Sequence, residues 1–525
     1  MFLGRSESKL MLQASFGSKE LIKAIGSYKW NKMFQLWEFP LNKVTAIMDN
    51  LKVETTPEVQ ELYKEYKEIE QERQRKIDYI NNLPNLDSKY PGFFKHQKSM
   101  LEAAKQFDSY CLFAEPGTGK TKVFIELFLI KKPNRALIIC PLNIITAVWE
   151  EEIQKWHPEL KFCNLWKQKI LKEEYNIYLI NFEQFRNRVD ELIEFGFPMV
   201  MIDESSKLKD SKSLITKAAL KIAEAAIYRY IGSGTPAPNS ILEFWGQLAF
   251  VNKDLLSDNF YRFRATYFTS FGYGGHQYGI SNENREKIMQ KIKEQAIFFA
   301  KKDALDLPEQ IFEKRYMEMD KEQTKVYKQM LTENIAYFKE KAIIGQTELT
   351  KILKLREVTS GFAFDDQGIP LNISNSKLDT LFELLEEIGD HQVCIFINFR
   401  WEEKMIKERL GDKAVVLSGS IPQKEKDKNI EMFKDDVTQY LIANMASASH
   451  GLNLQNCHYA IYFSLSYSHE LHRQSQDRFH RGGQKNKVTY FYILAKKTID
   501  EVLYKVLIKK ADILEACMEM LKRGV

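Results

Sequence analysis

Three short stretches hold side chains whose types and spacing could move a phosphoryl group. AEPGTGKT at 114–121 contains Gly117, Thr118, Gly119, Lys120 and Thr121. It follows the apolar run YCLFA and precedes KVFIELFLI, the strand–loop–helix context of a phosphate-binding loop. Glycines let backbone N–H groups close around phosphate oxygens at a helix N-terminus. Lys120 would reach the β- and γ-phosphates, and the Thr121 hydroxyl would ligate Mg²⁺. MVMIDESS at 199–206 delivers Asp203 and Glu204 to the carboxyl end of an apolar strand, where open α/β sheets bind ligands. There Asp203 would hold Mg²⁺ through water, and Glu204 would orient or deprotonate the attacking water. QSQDRFHRGGQ at 474–484 sets Arg478 and Arg481 three apart, on one face of a helix. An arginine offered across a cleft offsets charge on the transferred phosphoryl, worth roughly 10³–10⁵ in rate.

Each stretch alone has a bland reading: a Gly-rich turn, an exposed strand end, a polar surface helix. Their order decides against it, with the two acids about 80 residues after the GKT and the arginines near the C-terminal end.

The elements that must position these residues are legible as alternating patterns. ALIIC at 136–140, IYLI at 177–180, MVMI at 199–202 and YRYIG at 228–232 alternate with helical stretches, the signature of βαβ units and a parallel sheet. The pattern restarts after about residue 376 with VCIFINF, VVLSG, YLIAN, AIYFS and VTYFYIL. Two α/β sheets are expected. A mainly helical region over about 240–375, with a loop FGYGGHQYGI at 271–280, is expected between them. Ahead of the first sheet, residues 9–51 gather Phe16, Tyr28, Trp30, Phe34, Trp37 and Phe39 among lysines. Residues 55–82, rich in Glu, Lys, Gln and Arg, read as an exposed connecting helix.

Hydrophobic residues make up 44% and charged residues 28% of the 525, enough for sizeable cores and against disorder. The net charge of +5 is too mild to announce a nucleic-acid partner, so a basic groove must come from local clustering. The six cysteines have no metal-ligand spacing, and most histidines read as ordinary surface or hydrogen-bonded residues. No signal peptide or membrane span is evident, and a reducing cytoplasmic setting is expected.

On these motifs the chain resembles the Swi/Snf-like ATPases of helicase superfamily two over most of residues 90–515. Further matches are Gln97 in FFKHQKSM, the CP of ALIICPLNIITAVWEEEIQKW at 136–156, INFEQF at 180–185 and GSGTPAPNS at 232–240. KKDALDLPEQ at 301–310, SASHGLNLQ at 447–455 and HRGGQ at 480–484 complete the set. Three positions depart from the family pattern: Ser206 stands for the His of the DExH box, Gly482 for an apolar residue, and Phe299-Ala300 for paired arginines.

The resemblance implies two RecA-like lobes with parallel sheets and short helical insertions, plus a small N-terminal domain. It implies ATP and Mg²⁺ in the cleft, adenine read by Gln97, and duplex DNA as the polymer. YKWNKMFQLWEFPLNKVTAIM at 28–48 is similar to the HARP domain of the HepA-related annealing helicases, which implies forked DNA, and single strands bound through that module. The expected division is residues 1–52 for the module, 53–89 for the connector, 90–310 for lobe one and 311–525 for lobe two. Two alternatives stay open: a strand-separating DNA or RNA helicase, and an ATP-gated clamp of low turnover. The Lys-, Asn- and Ile-rich composition hints at a bacterial or phage source.

Overall fold

The computed structural model describes residues 1–505 and Leu507, apart from 27, 87, 235, 238–239, 272–276, 301–306, 334, 339–340, 346–347, 449–453, 467 and 481–483. Two compact units emerge: residues 1–92 with 257–263, and residues 93–256 with 264–525.

The first unit holds strands β1 (Phe2–Ser6), β2 (Lys9–Gln13), β3 (Lys29–Asn31), β4 (Leu36–Pro40) and β5 (Glu54–Thr55), in the order β3-β4-β2-β1-β5. Period-two alternation puts Leu10 and Leu12 of β2 and Trp37 and Phe39 of β4 into one core with Leu3, Ile22, Val44 and Ile47. The helix Pro57–Asn81 starts with Pro at its first turn, where the missing N–H costs nothing. Its Val59 and Leu62 enter the same core, while the remainder is largely solvated, with ion pairs such as Lys76–Glu72 on its surface. The aromatic set therefore divides. Trp37 and Phe39 are buried, whereas Trp30, Phe34 and Tyr28 are exposed. Phe16 and Lys23 lie outside the described side chains.

The second unit carries both large sheets. Strands β6 (Ser109–Ala114), β7 (Ala136–Cys140), β8 (Phe162–Asn164), β9 (Ile177–Asn181), β10 (Met199–Asp203) and β11 (Tyr228–Ser233) run parallel. An antiparallel hairpin, β12 (Phe268–Phe271) and β13 (Gln277–Ile280), follows. Strand β14 (Ala296–Phe299) then returns beside β6 and completes the order β14-β6-β11-β10-β7-β9-β8. The second sheet, β15-β24-β23-β20-β22-β21, is also parallel and comprises β15 (Gln310–Met317), β20 (Val393–Ile397), β21 (Ala414–Leu417), β22 (Tyr440–Asn444), β23 (Tyr459–Tyr462) and β24 (Val488–Ala495). Two small hairpins, β16 (Ile335–Phe338) with β17 (Lys341–Ile344) and β18 (Phe362–Phe364) with β19 (Pro370–Asn372), sit between β15 and β20 in sequence. These are two RecA-like lobes, each a sheet whose central strands, such as β7, β9 and β10 in the first and β20 in the second, are apolar and fully buried.

The region 240–375 is thus mixed rather than mainly helical. Its short runs AIFF, IAYF and KAII are aromatic or β-branched, which suits a pleated strand better than a helix. The ends of the Gly- and Tyr-rich stretch pair as β12 and β13, and its centre lies outside the described residues.

Candidate functional site

The loop after β6 leads directly into the helix Lys120–Lys131. Gly117 and Gly119 both have left-handed backbone, with φ of 81° and 77°, a conformation that costs glycine nothing. At Gly119 a Cβ would lie 2.1 Å from Gln97 Nε2, so a side chain there would push the Gln97 amide off the loop. Gln97 and His96 brace this loop from the helix Lys95–Ala104. Gln97 Nε2 donates to the Thr118 and Gly119 carbonyls at 3.3 Å each, and His96 Nε2 lies 2.7 Å from Thr118 O. The Gln97 Oε1 accepts from Phe94 N at 2.9 Å.

Lys120 is buried. Its ammonium donates to Ala114 O at 2.7 Å and reaches Glu115 O at 3.5 Å. Thr121 follows it, half-buried in the first turn.

Asp203 ends β10, next to β11 and β7. Burial pushes its carboxyl above the usual carboxylate range, and the Lys120 charge, the Glu204 N–H and the Trp149 indole oppose that shift. Trp149 Nε1 donates to Asp203 Oδ2 at 3.3 Å, and Glu204 N donates to Oδ1 at 3.0 Å. Trp149 reaches Asp203 from a π-helical turn, Ile145–Glu150, set between the short helix Leu142–Ile144 and the α-helix Glu151–Trp156. Such turns insert one extra residue and recur at functional sites. Glu204 has left-handed backbone, φ 59°, uncommon for a residue with a side chain. That bend turns the chain away from the sheet immediately after Asp203.

A link the sequence did not announce runs from this turn to the loop after β11. Ser205 Oγ donates to Gln247 Oε1 at 2.8 Å, and Gln247 Nε2 donates to Pro236 O at 2.5 Å. Gln247 is fully buried. It joins the DESS stretch to GSGTPAPNS, so Ser205, not the departing position Ser206, makes this connection.

In the second lobe the helix His469–Gln476 is capped by Ser468, whose Oγ accepts from Leu471 N. Arg473 on that helix donates to Glu115 of the phosphate loop. Arg478 follows the helix, half-buried, with its carbonyl bonded to Leu454 N at 3.0 Å. His480 Nε2 lies 2.7 Å from Pro308 O. Arg481 and Gly482 lie outside the described residues, as do 301–306 of KKDALDLPEQ and 449–453 of SASHGLNLQ. The structure therefore gathers Gln97, Gly117, Thr118, Gly119, Lys120 and Asp203 around one loop, with Glu204 beside them. Among the described residues, Arg473 carries a contact from the second lobe to that loop, which the motif reading missed.

Two parallel-sheet lobes, with a glycine loop and a buried lysine and aspartate in the first, define a helicase-type ATPase core. Comparison with known proteins narrows the class. The SNF2-related domain matches residues 24–360, and the helicase conserved C-terminal domain matches residues 376–483. The chain belongs to the SNF2-related family. It is 27% identical over 428 residues to an uncharacterized ATP-dependent helicase of Mycoplasma genitalium, covering 76% of this chain and 39% of that protein. It is 24% identical over 426 residues to a putative ATP-dependent helicase/translocase of Bacillus subtilis, covering 74% and 44%. The chain thus spans less than half the length of either relative. Among solved structures, the Sulfolobus solfataricus SWI2/SNF2 ATPase core in complex with dsDNA aligns at 23% identity with a TM-score of 0.40, covering 81% of this chain and 92% of that one. Among the described residues, no helix is long and apolar enough to cross a membrane.

Proposed function

We propose that the protein is an ATP-driven DNA translocase that works on duplex DNA and remodels or reanneals it at forks or junctions. The observation that carries this reading is the buried Lys120 and the buried Asp203 that feels its charge, beside a glycine loop in a chain of the SNF2-related family. In it, Lys120 exchanges its loop carbonyls for the β- and γ-phosphates of ATP. Gln97, whose amide contacts the loop carbonyls, reads the adenine of ATP. Glu204, aimed by its left-handed backbone, orients or deprotonates the attacking water. Arg478 and Arg481 meet the charge that develops on the transferred phosphoryl.

Asp203 and Thr121 fit Mg²⁺ by donor chemistry, since both offer hard oxygens. Among the described residues no group of three or more His, Cys, Asp or Glu is poised to hold a metal. Phosphate and water oxygens would therefore complete the shell. Held by these residues, the ion would supply positive charge that offsets the phosphates of ATP.

Each hydrolysis cycle closes and reopens the lobes on a phosphate backbone, which attracts the protein with little sequence information. The fork preference belongs to the N-terminal unit. Its β3–β4 turn presents exposed Trp30, Met33 and Phe34 beside Lys29 and Lys32. Asn31 Oδ1 shapes the turn by accepting from Met33 N and Phe34 N. Rings stack on unpaired bases for roughly 1–3 kcal/mol per base, and lysines track a backbone.

The test is hydrolysis with no polymer, single-stranded DNA, duplex, forked duplex and RNA, at several salt concentrations. Duplex and forked DNA should stimulate most, and the stimulation should fall steeply with salt. The double variant Trp30→Ala, Phe34→Ala should keep duplex stimulation and lose the preference for forks. Stimulation by RNA alone, or robust separation of a long duplex, would favour a strand-separating helicase. Negligible turnover with every polymer would favour the ATP-gated clamp.

A further inference from the structure

We propose that Arg473 is a positioning residue for ATP turnover, anchoring the helix that leads to Arg478 onto the phosphate loop through Glu115. The inference rests on the ATPase reading of the cleft. It goes beyond the motif residues, because Arg473 lies outside the Arg478–Arg481 pair that the sequence singles out.

The anchor joins residues 358 apart in the chain, one in each lobe. Both side chains are largely withdrawn from water, Arg473 at 20% and Glu115 at 16% exposure. Screening is weaker there than at an open surface, where such pairs contribute little. A guanidinium presents its donors in a fixed fork, so the pair sets orientation as well as distance.

Each end of the pair is tied to something that matters. Glu115 is part of the phosphate loop itself. Its N–H bonds Phe299 O at 3.1 Å, and its carbonyl accepts from Thr118 Oγ1 at 2.8 Å and faces Lys120 Nζ at 3.5 Å. One residue therefore holds the phosphate lysine with its main chain and the second lobe with its carboxylate. At the other end, the Arg473 helix is fixed to the second sheet. Ser475 Oγ lies 2.7 Å from Tyr462 Oη on β23, and Gln476 Nε2 donates to Tyr492 Oη on β24 at 3.0 Å. Arg473 thus moves with the sheet, not as a loose side chain. Arg478 comes five residues later, just past the C-terminal end of the same helix. Where Arg473 docks determines where Arg478 can reach.

A displaced arginine weakens an interaction that strengthens in the transition state, so the loss falls on kcat. The experiment measures polymer-stimulated hydrolysis by the full chain in Arg473→Ala, Arg473→Lys, Glu115→Ala and the double alanine variant, with thermal melting alongside. Arg473→Ala should lower kcat about ten- to a hundredfold, the scale of a small misplacement, with KM for ATP changed by no more than about twofold. Arg473→Lys should recover part of the loss. The double variant should be no worse than the more damaged single, because both remove one interaction. The charge swap Arg473→Glu with Glu115→Arg should recover activity relative to Arg473→Glu alone. Losses that multiply in the double variant would overturn the proposal. So would an Arg473→Ala effect confined to KM or to the melting temperature. Lys120→Ala separates the two readings. Abolished turnover there, with uncoupled Arg473 and Glu115, sinks this inference alone, whereas surviving turnover sinks the ATPase reading and this inference with it.

Discussion

The carboxyl ends of the two parallel sheets use buried acids in opposite ways. At the end of β10, Asp203 takes one N–H on each oxygen, from Trp149 and from the Glu204 backbone, and shares its surroundings with the Lys120 charge. Past the ends of β20 and β23, Glu402 is fully buried and saturated. Its Oε1 accepts from Ser360 Oγ at 2.6 Å, and its Oε2 accepts from Ser464 Oγ at 2.8 Å, Asn398 N at 3.0 Å and Phe399 N at 3.1 Å. A carboxylate offers about four acceptor sites, so four donors close it while two leave it open. The same end of the same kind of sheet is therefore left open in one lobe, where we place the ATP site, and held as a hydrogen-bonded scaffold in the other.

Glutamine substitutions on the two sides should separate these roles most sharply. Glu204→Gln should cut stimulated hydrolysis by about 10²–10⁴ while ATP binding and melting stay near normal. Glu402→Gln should cost about 1 kcal/mol or more, because charge-assisted bonds from Asn398 N, Phe399 N and Ser464 Oγ become neutral ones, while the new amide can still donate to the Ser360 hydroxyl. Its specific activity should fall only with the folded fraction, as read by denaturant titration. Loss of turnover in Glu402→Gln at unchanged stability would break the comparison, because the closed acid would then be a working one.

Acid should attack the closed side first. His472 is buried against Tyr462 and Tyr492, and Tyr492 Oη and Gln476 Nε2 each lie 3.1 Å from its Nε2. Burial, with a smaller push from the nearby His469, holds it down at about 3. The folded protein keeps this ring neutral, whereas the unfolded chain protonates it below about 6.5. Its contribution is whole above about pH 6.5 and is lost progressively as pH falls from there toward 3. By pH 5 that amounts to about 2 kcal/mol. Stability against pH, measured for the parent and His472→Gln, should show a shallower acid limb in the variant. Parallel limbs would assign the acid sensitivity elsewhere.

The smallest effect belongs to the first lobe's own strut. Ser205→Ala removes one neutral bond to Gln247 and should cost about 1 kcal/mol. Polymer stimulation should decline more than polymer-free hydrolysis, since the strut joins the DESS turn to the loop after β11. Equal declines in both rates would reduce the strut to a packing detail.

Much of this was readable from residues. The phosphate loop, the strand-borne Asp203 and Glu204 and the two restarting α/β patterns depend on local sequence alone. Arg473 and Gln247 were not readable, because each works through a partner distant in the chain and sits in no motif. Strand β14 was missed for a related reason: AIFF becomes a strand only by pairing with β6, far earlier in the sequence. Trp30 and Trp37 show the opposite case. Both are aromatic and pair directly across β3 and β4 on one face, yet Trp30 is exposed and Trp37 is buried, because β3 is the edge strand and β4 lies inside the sheet.

The π-helical turn at Ile145–Glu150 makes the molecule vulnerable in its own way. A π turn is an insertion of one residue that the helix has absorbed. Deleting one residue there would restore ordinary periodicity and rotate one flank against the other by about 100°. Trp149 would be carried off Asp203 although every side chain type survived. Substitutions along this segment should be forgiven far more readily than a single-codon loss. In any lineage of this chain, its length should therefore be held more strictly than its composition.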